Sequence, residues 1–171
     1  MEQASVIRAA IVVALAALFD DVVVPYLTFG FFSPRLTLIA IVFVAAPLRD
    51  LQAVLLGFFG GILLDALGSD LFGVGALGGL LAGMLASRAS AVRRGGSEKV
   101  LLAQVAGLAV AAHDLLGYSA RWLAGLGVPQ LGEYTVGGVL PDAIINALLA
   151  FLIGGWLLNV VNVKPPHGWE K

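Results

Sequence analysis

An all-α membrane protein with about six transmembrane helices and both termini in the cytoplasm is the fold class that three observations predict. Of the 171 residues, 60% are hydrophobic and only 12% charged, with a mean hydropathy of +0.97, whereas a soluble domain carries about 25% charged residues. Apolar runs near the length of a membrane span, about 20 residues in a helix, recur along the chain as far as Val163. Lysine and arginine are also unevenly distributed between alternate loops, as orientation in a membrane demands. Residues 1–171 read as a single polytopic membrane domain.

The first span covers residues 6–24, with Arg8 near its start and Asp20, Asp21 and Pro25 at its end. Arg8 followed by small apolar residues has the outline of a signal peptide, but the similar runs downstream favour a spanning helix. The aromatic stretch from Tyr26 to Phe32 suits a membrane interface. The second span covers residues 34–48. Ser33 is placed to cap its free amides, Pro34 fits the first helical position, and Pro47 with Arg49 and Asp50 ends it. It is short for a full crossing. Either its neighbours shelter it, or it draws a first turn from the aromatic stretch.

The third and fourth spans, residues 51–67 and 71–89, are separated by the polar turn Gly68-Ser69-Asp70 and form a helical hairpin. A hydrophilic loop from Arg93 to Lys99 leads into the fifth span, residues 100–123, and the sixth occupies residues 136–163 before a short polar tail. Six spans place Arg8, Arg49, Arg88, Arg93, Arg94, Lys99, Lys164 and Lys171 inside and leave only Arg35 and Arg121 outside. Five spans are the fallback, and would move either the early or the late basic residues to the outer side.

Lipid gives helices no hydrophobic reason to associate, so close packing through small residues takes that role. Gly75, Gly79, Gly83 and Ser87 recur every four residues along the fourth span; Gly57 and Gly61 share that spacing on the third, with Asp65 next on the same face. Ala103, Gly107 and Ala111 repeat it on the fifth. Such stripes serve packing within the monomer or a groove for a partner helix, with Gly75, Gly79 and Gly83 the partner-contact candidates. The carboxylates Asp65, Asp114 and Asp142 fall within spans, where an ionised group costs about 2.5 to 3.5 kcal/mol. With Asn146 they are expected to be structural polar anchors. Asp65 and Asp142 lie near the outer helix ends; His113 and Asp114 sit deeper and have Asn146 within possible reach, while adjacent residues, about 100° apart around a helix, are not expected to pair.

Several function classes fall away by counting. There is no cysteine, hence no thiolate metal site or cysteine nucleophile, and His113 and His167 lie too far apart in sequence for a histidine metal cluster. A net charge of -1 supplies no basic field for nucleic acid. Ser119 has no evident base, and the glycine-rich stretches lie in apolar spans, so neither an enzyme nor a cofactor is expected.

The run Gly57-Phe58-Phe59-Gly60-Gly61-Ile62-Leu63-Leu64-Asp65, followed by Leu71-Phe72-Gly73-Val74-Gly75-Ala76-Leu77, resembles the core of the rod shape-determining MreD family. Pro34 opening its helix, and Pro141 with Asn146 in the last span, match the same pattern, so the resemblance covers most of the chain; Arg35 stands where the pattern has an acidic residue. It implies a non-catalytic scaffold subunit of the cell-elongation, peptidoglycan-synthesising machinery in the bacterial cytoplasmic (inner) membrane. Its implied direct partner is the transmembrane helix of MreC. MreB, RodA and a class B penicillin-binding transpeptidase belong to the wider complex, and lipid surrounds it. The resemblance further implies a fold similar to the substrate-binding subunits of energy-coupling-factor vitamin transporters. Such a subunit is the alternative function, with Tyr26, Phe29, Phe31, Phe32, Glu133 and Tyr134 available as ligand contacts. An ion or proton carrier using Asp65, Asp114 and Asp142 is a third class.

Overall fold

The computed structural model describes residues 2–27, 33–68, 71–91 and 98–161, and among them every regular element is helical. In chain order these are α1 (Glu2–Val22), the single turn α2 (Val24–Leu27), α3 (Leu36–Ala45), α4 (Asp50–Leu67), α5 (Val74–Ala91), α6 (Glu98–Leu123), α7 (Leu131–Tyr134) and α8 (Leu140–Val161). A π-helical turn, Thr135–Val139, joins α7 to α8. The helices α4, α5 and α6, and the continuous stretch Leu131–Val160, are long and apolar enough to cross a membrane. The chain is an all-α membrane protein.

The short second span proves to be the hub. Helix α3 has 10 residues, about 15 Å of helix beside a hydrocarbon layer of about 30 Å. Every residue from Thr37 to Ala45 is buried, and the helix touches α1, α4, α5, α6 and α8. Its sequence LTLIAIVFVA has no polar face because no face of it meets water. Of the two expectations for this segment, shelter by neighbours is the one observed. Small residues make the shelter close: the Phe43 ring lies where Gly154 of α8 would carry a β-carbon, and Val13 and Ile41 do the same at Gly60 of α4.

Around α3 the most extensive helix pair is α4 with α5, followed by α6 with α8. The first pair is a backbone-to-backbone seam. A β-carbon on Gly57 would strike the Gly79 carbonyl, one on Gly61 the Gly75 carbonyl, and one on Gly83 the Ala53 carbonyl. The glycine stripe of α5 is therefore filled by α4, with Gly75, Gly79 and Gly83 all buried. Of the two uses foreseen for this stripe, packing within the monomer is what α4 makes of it. On α6, Gly107 lies against the Ala143 carbonyl and Ala147 of α8.

Element ends differ from expectation where tertiary contacts outweigh local signals. The first span breaks at Val23 before the extra turn α2, and the last is helical from Leu131 rather than residue 136. Capping of α3 by Ser33 is not what occurs: Arg35 occupies the cap position without a side-chain cap of its own. The aromatic residues Phe29, Phe31 and Phe32, the turn residues Ser69 and Asp70, loop residues Arg93 and Arg94, and His167, Lys164 and Lys171 lie outside the described residues.

Candidate functional site

Among the described residues, the buried polar side chains other than Ser87 gather at one end of the bundle, where α1 and α4 finish, α3, α5 and α8 begin, and the second half of α6 passes. The reason lies in α3. A helix end leaves backbone amides without partners, and in a membrane interior nothing but protein can satisfy them. Here other helices do so. Asp20 of α1 accepts the Leu36 amide at 3.0 Å, the Thr37 amide at 2.7 Å and the Thr37 hydroxyl at 2.6 Å. Asn146 of α8 accepts the Arg35 amide at 2.8 Å through its side-chain oxygen, while its Nδ2 donates to the carbonyls of Ser33 at 3.1 Å and Asp142 at 2.9 Å.

Arg35 then reaches α6. Its guanidinium donates to Asp114 Oδ1 at 2.9 Å, and the Asp114 side chain is only 3% exposed. His113 Nδ1 lies 3.4 Å from the same oxygen. The partner of Asp114 is thus Arg35 rather than Asn146, and its sequence neighbour does approach it, against expectation. A short side chain can bend toward a ring on the next residue when both are packed from outside, as His113 is by Gly78, where any β-carbon would press on the ring. Tyr134 stacks on Tyr118 with ring centroids 5.0 Å apart, and its hydroxyl approaches the Asp114 carbonyl at 3.4 Å.

Asp65 performs the equivalent service for the hairpin. At the end of α4 it accepts the amides of Gly73 and Ala76 at 2.9 Å through Oδ2 and of Gly75 at 2.7 Å through Oδ1. A carboxylate at a helix N-terminus also meets the favourable end of the helix dipole. Gly73, at φ +103°, makes the turn that presents these amides, a conformation L side chains rarely adopt. Asp142 is half-buried, and its role here is its backbone carbonyl, which accepts from Asn146.

Two clefts open at this end, sharing Arg35 and His113 as a common wall. The larger, about 430 Å³, is bounded by Asp20, Asp21, Ser33, Leu64 and Asp65 among others; the smaller, about 60 Å³, by Asp114, Arg121 and Tyr134. On the side of the bundle, a third hollow of about 330 Å³ runs between α1 and α8. It is wholly apolar: Val12, Leu15, Ala16 and Phe19 form one wall, Ile153, Trp156 and Leu157 the other, and Leu36 with Ala40 the floor. Among the described residues no group of three or more histidine, aspartate or glutamate side chains is arranged to hold a metal ion.

A family model described as rod shape-determining protein MreD matches residues 3–163. The chain belongs to the MreD family. No curated protein and no solved structure shows a significant match. The MreD match spans every element from α1 to α8 and includes the glycine seam and its terminal Asp65. Membership makes this a protein of rod-shape determination. Of the contacts foreseen for a vitamin-binding subunit, Tyr134 borders the small cleft, while Tyr26 is 83% exposed, Glu133 is exposed, and neither borders the large cleft.

Sequence reasoning anticipated Asp65, Asp114, Asp142 and Asn146 as polar residues within spans, and the structure puts all four at one end. It missed Asp20, Arg35 and Thr37. Asp20 reads as the charged end of a span and Arg35 as an outer-loop cation. The available signal was that α3 is too short to cross alone, so that its amides must be satisfied by residues from elsewhere.

Proposed function

We propose that this MreD chain is a non-catalytic scaffold of the bacterial cell-elongation machinery in the cytoplasmic membrane. It has cytoplasmic termini and receives the transmembrane helix of MreC in the apolar hollow between α1 and α8. Through MreC it joins the peptidoglycan-synthesising assembly of MreB, RodA and the class B transpeptidase. The observation that carries the reading is the division of labour among the helix faces. The glycine seam is consumed in building the monomer, whereas the α1–α8 hollow is apolar, unfilled by the described residues and floored by the most buried helix among them. The hydrocarbon-facing walls offer shape rather than polarity, which is how helices recognise each other in lipid. The basic residues Arg8, Arg49, Arg88 and Lys99 all lie toward the end opposite the polar cluster, which supports a cytoplasmic placement of that end.

The test is recovery of MreC by the tagged chain in mild detergent, comparing Ala16→Trp, which fills the hollow, with Leu108→Trp on the outer face of α6. Leu108 is 62% exposed and remote from the hollow. The expected result is loss of MreC with Ala16→Trp alone. Equal recovery by both folded variants rules out the hollow as the contact.

A further inference from the structure

Helix lengths place the polar end just inside one boundary of the hydrocarbon layer. Helix α6 has 26 residues, about 39 Å, which exceeds the roughly 30 Å hydrocarbon layer. Asp114 stands sixteen residues after Glu98, about 24 Å along the axis. With Glu98 and Lys99 at one boundary, the Arg35–Asp114 pair lies on the order of 6 Å inside the other. Helix α3 begins at that same depth, because Arg35 is bonded to Asp114 there.

An ionised residue in the hydrocarbon costs about 2.5 to 3.5 kcal/mol even on insertion scales, and Asp20, Asp21, Arg35, Asp65 and Asp114 cluster here. Asp20 and Asp65 are satisfied by backbone amides. The ion pair is not fully satisfied by the described residues: Arg35 Nε and Asp114 Oδ2 are buried and have no partner among them. Both side chains border the small cleft, and Arg35 also borders the large one. A cavity of about 430 Å³ has room for on the order of ten waters.

We infer that the two clefts form an aqueous vestibule that enters the bilayer from the polar end and reaches the Arg35–Asp114 pair. The short α3 creates it by starting below the membrane surface, and the walls from α1, α4 and α6 keep lipid out. Its ligands are water and small hydrophilic solutes. The inference does not depend on MreC binding.

The absence of native cysteine makes the test direct. Single cysteines are placed at Leu64 in the cleft wall and, as a second and deeper position, at His113; Leu148→Cys on the lipid face of α8 is the control. The full chain is reconstituted in nanodiscs, which expose both membrane faces, and reacted with a small membrane-impermeant methanethiosulfonate. Reaction needs a thiolate, hence water, so Leu64→Cys and His113→Cys react more than about tenfold faster than Leu148→Cys. This ordering opposes geometric exposure, since Leu148 is 61% exposed and His113 only 4%. Denatured samples confirm equal thiol content, and elution as a single species confirms folding. A folded wall variant that reacts no faster than Leu148→Cys overturns the vestibule.

Discussion

Asp65 and Gly79 illustrate how single residues hold this membrane fold together. Asp65 accepts three amides from the start of α5 and the turn before it. Asp65→Asn keeps one acceptor oxygen and loses the charge; it is expected to lower stability by about 1 to 3 kcal/mol, read as a fall in the thermal midpoint in detergent. At Gly79 a single methyl meets the Gly57 carbonyl of the facing helix. Gly79→Ala forces two backbones apart at an expected cost of about 1 to 3 kcal/mol. Gly137, with open space around it, is the contrast: Gly137→Ala is expected to be neutral or to stabilise by up to about 1 kcal/mol. Equal losses at Gly79 and Gly137 in the same melting experiment contradict the seam. The four-residue spacing made the seam legible in sequence. Which surface the stripe would meet was not, because spacing describes one helix and the partner is a second.

At the scale of elements, α3 depends on its neighbours for more than packing. Its first amides are bonded by Asp20 and Asn146, and Arg35 ties it to α6. Removing Arg35 alone strands Asp114, whose side chain is almost wholly buried, so Arg35→Leu is expected to destabilise by about 3 to 5 kcal/mol. Arg35→Leu with Asp114→Leu together is expected to cost less than the sum of the two singles, a coupling that a double-mutant cycle in detergent measures directly. Strict additivity contradicts the ion pair. The sequence showed where α3 lies and that it is short; it did not show these bonds, because the partners are separated by 16 to 111 positions. Pattern reading sees neighbours three and four residues away, and Asp20 and Arg35 looked like ordinary boundary charges.

At the scale of the whole molecule, the all-α membrane class was legible because hydropathy acts over long stretches of chain. The assembled bundle adds what those averages conceal: a buried short helix at its centre, buried charged groups collected at one end, and an apolar hollow on its side that the described residues leave unfilled. These features separate the surfaces that build the monomer from the surface left for a partner. A scaffold needs both. The glycines that seemed most suited to receive another helix serve the first purpose, so the partner surface is expected on α1 and α8.

That claim is tested most directly by co-expressing the tagged chain with its own organism's MreC, or with an unrelated single-span protein, and measuring what is recovered in mild detergent. Stoichiometric, selective recovery of MreC that is lost with Ala16→Trp is the result this account predicts. Recovery of MreC undiminished by that substitution, or no recovery by a folded chain, contradicts it.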